Sequence, residues 1–298
     1  MDRPPQGVVP GRKRVTTTAA SGHAARVAEL VGRSRFEILP LDGIEERVHA
    51  VVPRDVTLTV TASPTKGLEP TLALAEALVG QGYTVVPHLS ARLVADASEA
   101  AEIAERLRAV GIGDVFVVAG DPEEPKGRFH GALELLEAFD ELGRPFPEIG
   151  IAGYPETHPL IEDETVIAAM LAKARHATYI TSQVCFDPAV TARWIEEVWE
   201  RGTRLPVYIG VPGAVSRAKL LRVSTRIGIG DSLRYLRKNG SFASRFFRGG
   251  FSPDPLVDGL GPVLAGDRVA GFHIFTFNDV EDTERWRRER LGSTAARS

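Results

Sequence analysis

The sequence has a single cysteine, Cys185, so no disulfide can form within the chain. It has no apolar run of the about 18 residues that a helix needs to cross a bilayer, and its first 20 residues lack the apolar stretch of a secretory signal. A net charge of -3 provides no general attraction to nucleic acid or to anionic membranes. These absences predict a cytoplasmic globular protein with neither a nucleic-acid nor a membrane partner.

Local motifs of two common catalytic classes are also missing. The seven histidines are scattered and form no His-x-x-x-His pair beside an acid, so no metal site is expected from spacing. No Gly-x-Ser-x-Gly segment is present, which removes the usual sign of a serine hydrolase. The Ile-Gly-Ile-Gly segment at 227–230 lacks the third glycine of a dinucleotide fingerprint and is interpreted as a loop.

What the chain does have is an alternation of short apolar runs with longer helical patterns. Continuous apolar runs are typical of parallel strands that are buried on both faces. Eight of them predict a (β/α)8 TIM barrel, with an open doubly wound sheet as the alternative. The eight runs are 36–39, 56–61, 84–88, 115–118, 149–152, 178–181, 207–211 and 272–277.

The segments outside this alternation are the N-terminus and the connection between strands seven and eight. Residues 1–18 are rich in Pro, Gly, Arg and Thr, which predicts a flexible, disordered tail, followed by a helix over 21–31. One catalytic domain is expected over 19–298. Extra helices are predicted over 214–223 and 231–239, with a Gly/Pro-rich loop over 249–262.

Polar residues collect where the predicted strands end, and chemistry in a TIM barrel lies at the C-terminal ends of its strands. Their shared position on one rim makes these residues the candidate site. They are Glu37, His88, Asp121, Tyr154, Glu156, His158, Gln183, Thr276 and Asn278.

Each of these signals also has a purely structural interpretation. Glu37 could form a buried ion pair with an arginine, and Asp121 could shape a turn before its proline. His88 could be a hydrogen-bonded core histidine, and Gln183 could cap the next helix. Cys185 is expected to be a small buried hydrophobe rather than a nucleophile.

Six segments together resemble methylenetetrahydrofolate reductases, in the right order. The most similar is Gly-Tyr-Pro-Glu-Thr-His-Pro at 153–159, where the family has Gly-Tyr-Pro-Glu-x-His-Pro. The others are Phe-Glu-Ile-Leu-Pro at 36–40, Pro-His-Leu-Ser at 87–90, Ala-Gly-Asp-Pro at 119–122, Ser-Gln-Val-Cys-Phe-Asp at 182–187 and Phe-His-Ile-Phe-Thr-Phe-Asn at 272–278.

The resemblance implies a TIM barrel that reduces 5,10-methylenetetrahydrofolate to 5-methyltetrahydrofolate, usually through a bound FAD. Glu37 matches the family's general acid, and its apolar strand would raise its pKa by desolvation. Asp121 matches the carboxylate that holds the pterin and stabilises the cation formed when the methylene bridge opens. Gln183 matches the amide on the pterin edge, with Tyr154 as a further substrate contact. The remaining cofactor contacts, besides Tyr154, would be His88, His158 and Lys173.

The departures from the family pattern concern flavin binding. Ala119 replaces the family's arginine, and the helix after the fifth strand is apolar over 166–172, with Lys173 as the remaining match. The family's stacking aromatic falls near Ala218. A pyrophosphate needs charged partners or free amides. FAD is therefore not expected to be tightly held, and NADH or NADPH is expected to reduce the folate directly. Retention of FAD and a non-catalytic folate-binding barrel remain open, as do the choice of nicotinamide and the oligomeric state.

Overall fold

Eight parallel strands form one closed barrel in the order β1 to β8 in the computed structural model, which describes residues 15–62, 66–156, 163–215 and 251–295. Because β1 pairs with both β2 and β8, the sheet has no open edge, which excludes the doubly wound alternative and confirms the TIM barrel. The strands are β1 Arg35–Ile38, β2 Thr57–Val60, β3 Val85–Ser90, β4 Asp114–Val118, β5 Glu148–Gly153, β6 Tyr179–Ser182, β7 Val207–Pro212 and β8 Val269–Phe275.

Helices follow the strands and pack around the barrel. Two helices start at an aspartate cap: Asp96 accepts hydrogen bonds from Ser98 N and Glu99 N, and Asp187, followed by Pro188, accepts from Ala189 N and Val190 N. None of the described helices combines the length and apolarity needed to cross a membrane. The helices are α1 Val15–Gly32, α2 Ile44–Val51, α3 Glu69–Gly80, α4 Ala97–Ala109, α5 Ala132–Glu141, α6 Asp163–Ala174, α7 Pro188–Glu200, α8 Asp254–Gly259 and α9 Val280–Ala295.

The structure corrects three parts of the sequence-based prediction. Helix α1 begins at Val15 rather than at residue 21, so residues 15–18 are helical, while 1–14 lie outside the described residues. Val215 is not helical but forms an antiparallel bridge with Phe251. The predicted loop over 249–262 contains α8 and the start of a 3-10 turn, because an Asp-Pro pair can open a helix as well as a turn. The helix predicted over 231–239 lies outside the described residues.

Alternation along the strands divides the core into two parts. Phe36 and Ile38 of β1 are fully buried and belong to the large apolar layer between the strands and the helices. A second, smaller cluster of Val86, Phe116 and Tyr179 comes from β3, β4 and β6. Successive strand residues point to opposite faces, so Arg35 and Glu37 of β1 share the face opposite to that of Phe36 and point into the barrel.

A charged cluster fills the barrel at the N-terminal ends of its strands. Arg35 Nη2 lies 3.0 Å from Asp114 Oδ2 and donates to Tyr208 Oη at 3.1 Å. Tyr179 Oη donates to Asp114 Oδ1 at 2.8 Å, and the Arg35 guanidinium lies over the Tyr179 and Tyr208 rings. Burial raises the pKa of Asp114 to about 6 despite the attraction of Arg35. We call these four residues the floor cluster, and it closes that end of the barrel to ligands.

Candidate active site

Glu37 lies inside the barrel between two histidines from other strands. Its Oε2 is 3.0 Å from Nε2 of His273 on β8 and 3.9 Å from Nε2 of His88 on β3. The Glu37 side chain is 13% exposed, whereas the two imidazoles are almost wholly buried. Oε1 of Glu37 makes no hydrogen bond within the described part of the chain. One carboxyl oxygen is thus held by an imidazole, and the other is available to a ligand.

Aromatic rings surround the two imidazoles. The His88 ring lies 4.7 Å from Phe116, and the His273 ring lies 4.8 Å from Phe275, edge to face. Burial lowers the pKa of His88 to about 4, with Glu37 opposing and His273 reinforcing this shift. His88 is therefore neutral near pH 7. The arginine ion pair considered for Glu37 is not found among the described residues, where Arg35 points to the floor cluster and pairs with Asp114 instead.

The ends of β1 and β8 are tied together directly beside Glu37. Thr276 Oγ1 donates to Glu37 O at 2.6 Å. The Asn278 side chain accepts from Leu39 N at 2.8 Å and donates to Leu39 O at 3.0 Å. Asn278 has a left-handed backbone with φ 64°, a conformation that asparagine tolerates better than most residues. Thr276 and Asn278, both singled out from sequence, thus fix the strand that carries Glu37.

Asp121 and Tyr154 lie next to each other above β4 and β5. Asp121 is exposed, and its charge contributes to raising the pKa of the Tyr154 phenol, although burial is the larger cause. The turn before Asp121 requires glycine: Gly120 has φ 94°, and a Cβ there would collide with Ser90 Oγ. The loop carrying Asp121 therefore packs closely on the end of β3, at the same end of the barrel as Glu37.

Gln183 follows β6 directly, with its own Oε1 accepting from Val184 N at 2.8 Å. It does not cap α7, since Asp187 does. Cys185 is 3% exposed, and its Sγ contacts Asp187 O and, at 3.6 Å, Glu156 Oε1. Burial raises the pKa of the Cys185 thiol to about 12, which keeps it protonated and confirms that it is not a nucleophile at neutral pH.

Lys173 is placed apart from the other candidates. Helix α6 starts at the rim and runs away from it, so Lys173 in its last turn lies about 15 Å along the helix axis from the first residue. Burial lowers the pKa of Lys173, and it makes no hydrogen bond or ion pair within the described residues. Only an extended ligand could contact both Lys173 and the rim. His158 and Ala218 lie outside the described residues.

The described rim supplies few groups that would hold a flavin pyrophosphate. Ala119 has no charge, and the neighbouring Arg92 donates to the carbonyl oxygens of His130 and Pro122. Between Asp163 and Ala174, Lys173 is the one cationic side chain.

The partnership of Glu37 with His88 and His273 could not be predicted from the sequence. His273 stood inside a recognised segment, but no local spacing links it to Glu37, more than two hundred residues away. One nitrogen or oxygen from each of the three residues lies within 4.8 Å of the others. Two imidazoles and a carboxylate can share a proton or ligate a metal ion.

A TIM barrel with ionisable groups at the C-terminal ends of its strands is the arrangement of barrel enzymes that act on small molecules. The chain matches the family model described as methylenetetrahydrofolate reductase over residues 41–229, more than half of its length. It therefore belongs to the methylenetetrahydrofolate reductase family. The matched range includes His88, Asp121, Tyr154, Lys173 and Gln183, whereas Glu37 and His273 lie outside it.

Solved structures show the same fold at low sequence identity. An uncharacterized protein from Clostridium thermocellum, described as binding two copies of 5-methyl-5,6,7,8-tetrahydrofolic acid, is 11% identical with a TM-score of 0.61 over 90% of this chain and 98% of that one. A putative phosphonomutase from Burkholderia cenocepacia J2315 is 14% identical with a TM-score of 0.44, covering 74% of this chain and 99% of that one. A dihydrodipicolinate synthase is 13% identical with a TM-score of 0.45, covering 89% and 77%. The last two scores are too low to carry an argument.

Proposed function

We propose that this protein reduces 5,10-methylenetetrahydrofolate to 5-methyltetrahydrofolate, with hydride delivered directly by NADH or NADPH and without tightly bound flavin. The family supports the reaction class. The observation that carries the proposal is Glu37, an acid inside the barrel with one oxygen held by His273 and the other without a hydrogen-bond partner among the described residues.

Glu37 is proposed as the general acid. Opening the methylene bridge leaves an amine that must be protonated and produces an iminium cation, which can then accept hydride. A carboxyl group among aromatic rings and buried imidazoles can transfer a proton to a ligand without competition from bulk water. The His273 imidazole can donate to the carboxylate or accept from the carboxylic acid, so it can hold Glu37 in both states.

The other rim residues are proposed to bind the pterin. Asp121, exposed above β4, would hold the pterin and stabilise the cation by its negative charge. Gln183 would bond the pterin edge through its amide, whose nitrogen donates to no described residue. Tyr154 beside Asp121 would act as a neutral hydrogen-bond donor, because its raised pKa keeps the phenol protonated.

The nicotinamide dinucleotide is proposed as a second substrate that binds at the same rim. His88 and His158 are proposed to contact the dinucleotide. Because His88 is buried, it can do so only from inside the barrel. Lys173 would meet its phosphates at a distance from the rim that a dinucleotide can span. The absence of a charged side chain at Ala119 supports direct hydride transfer over a flavin-mediated route.

The test is oxidation of NADH and of NADPH by the purified chain with 5,10-methylenetetrahydrofolate, with the product identified by mass. We expect folate-dependent turnover by a protein without flavin absorbance. Flavin absorbance that accompanies the protein, with activity proportional to it, would instead establish the FAD-dependent reaction. Tight folate binding without turnover with either nucleotide would establish a non-catalytic folate-binding barrel.

A further inference from the structure

The cluster of Glu37, His88 and His273 has the composition of a metal site. Two imidazoles and one carboxylate are a common ligand set for zinc and related divalent ions, which leave a further coordination position open. The three side chains come from β1, β3 and β8, so the closed barrel holds them in place. Ligands on rigid strands are held closer to one geometry than ligands on loops.

The distances between the ligand atoms suit a small divalent cation. Metal–ligand bonds of about 2.0–2.2 Å at tetrahedral angles separate neighbouring ligand atoms by about 3.4 Å. Glu37 Oε2 lies 3.0 Å from His273 Nε2 and 3.9 Å from His88 Nε2, on either side of that value. One ligand atom from each residue lies within 4.8 Å of the others, so small side-chain rotations would complete the site.

The cluster also contains buried nitrogen atoms without partners. Within the part of the chain that the structure describes, His88 Nε2, the atom that faces Glu37, is buried and makes no hydrogen bond, and His273 Nδ1 is likewise buried without a partner. A metal ion requires the lone pair of a neutral imidazole. The buried Nε2 of His88 therefore offers a ligand atom on the side that faces Glu37.

We propose that Glu37, His88 and His273 bind one divalent transition cation of the Zn²⁺ or Co²⁺ type, with a fourth position toward the barrel mouth. The cation displaces the proton shared by His273 and Glu37, and that proton is released to solvent. Binding itself does not depend on the proposed reductase activity. A second consequence does: a Glu37 carboxylate that ligates a cation cannot deliver a proton, so the cation inhibits turnover.

Co²⁺ is the probe, because its visible absorption reports a tetrahedral site. The full-length chain, freed of metal with a chelator that is then removed, is titrated with Co²⁺. We expect a saturable spectrum with one equivalent, which Zn²⁺ abolishes by displacement. A chain that shows no saturable Co²⁺ spectrum would overturn the proposal.

Two variants test the ligands against a matched control. His88→Gln and Glu37→Gln are expected to weaken Co²⁺ binding at least about 10-fold. His176→Gln is the control, because His176 is equally buried but pairs with Asp140 at the opposite end of the barrel, and it should bind Co²⁺ like the unaltered protein. Circular dichroism verifies that each variant is folded. If His88→Gln binds Co²⁺ unchanged, or if His176→Gln weakens binding as much, the assignment is wrong.

A measurement of turnover distinguishes failure of the metal site from failure of the proposed reductase function. Zn²⁺ should inhibit NADH oxidation over the same concentration range in which it displaces Co²⁺, and a chelator should restore activity. If the protein binds Co²⁺ but shows no turnover, the metal site is supported and the proposed reductase function is wrong. If the protein shows turnover but binds no Co²⁺, the proposed reductase function is supported and the metal site is wrong.

Discussion

At the scale of single residues, the setting of Glu37 determines what the site can do. A carboxyl group inside a barrel is unfavourable unless its charge or its proton is shared. Here the sharing group is an imidazole, whose two tautomers match the two protonation states of the acid. An arginine in that position would have kept Glu37 ionised. The choice of partner therefore favours proton transfer over permanent charge.

Replacement of Glu37 by glutamine tests whether Glu37 acts as the general acid. Glu37→Gln keeps the shape of the side chain but has no proton to transfer, so we expect turnover to fall by about 10²–10⁴-fold with folate binding little changed. Glu76→Gln on α3, which removes a surface partner of Arg106, is the matched control and should retain activity. Equal activity of Glu37→Gln and the unaltered protein would rule out the role given to Glu37.

His273 tests whether the orientation of that acid matters. His273→Leu removes the hydrogen bond to Oε2, and we expect kcat to fall by about 10–100-fold, with a smaller change in the KM for folate. His273→Gln, whose amide can still bond the carboxyl group, should recover part of the loss and restore the shape of the pH profile. A glutamine variant no better than the leucine variant would show that His273 acts only through packing.

At the scale of secondary-structure elements, the join between β8 and β1 positions the strand that carries Glu37. Strand β1 has four residues, and its end is held by side chains from beyond the end of β8. Closure of the barrel therefore depends on polar side-chain contacts as well as on the backbone ladder. Loss of these contacts should affect both stability and the placement of Glu37.

Asn278 allows this join to be measured. Asn278→Ala loses both hydrogen bonds to Leu39 and places a Cβ-bearing residue without a polar side chain at φ 64°, so we expect a loss of about 1–3 kcal/mol in the free energy of unfolding. Asn278→Gly loses the same bonds without the backbone strain and should be intermediate. Urea unfolding of the unaltered protein, Asn278→Gly and Asn278→Ala measures the order of their free energies of unfolding. A glycine variant as stable as the unaltered protein would show that the bonds contribute nothing.

At the scale of the whole molecule, the barrel has two different ends. The floor cluster seals the N-terminal ends of the strands with an arginine, an aspartate and two tyrosines. The opposite end carries Glu37, Asp121, Tyr154 and Gln183. We therefore expect ligands to bind at the end that carries these four residues.

The floor cluster makes stability depend on pH in an unusual direction. The pKa of Asp114 is raised from 3.8 to about 6 in the folded protein, so between these values the folded state binds more protons than the unfolded state. The contribution of Asp114 to stability is then greatest below about pH 4 and declines as pH rises through 6. Asp114→Asn should remove this decline while lowering stability overall, because Arg35 loses its ionic partner. The test is to measure the free energy of unfolding of Asp114→Asn and of the unaltered protein from pH 4 to 7. If the two free energies of unfolding differ by the same amount at every pH, Asp114 is not the source of the pH dependence.

Features that depend on neighbours in the chain could be predicted from sequence. Short apolar runs locate all eight strands, and Asp96 and Asp187 cap their helices because a cap needs only the next few amides. The placement of Glu37, Asp121, Tyr154 and Gln183 at one end also follows, since parallel strands end together. Lys173, in the last turn of α6, was proposed from the resemblance alone, because no local pattern marks it as a ligand contact.

Contacts between distant strands required the folded barrel. The pairing of Glu37 with His273, the unpartnered Nε2 of His88 and the pairing of Arg35 with Asp114 all arise when β1 closes against β8 and inward side chains from separate strands meet. Strand periodicity indicates which residues point inward, but not which of them share a layer, because that depends on the stagger between strands. The amino-acid pattern was therefore sufficient for the barrel and its rim, whereas the partners of the acid were a property of the closed sheet.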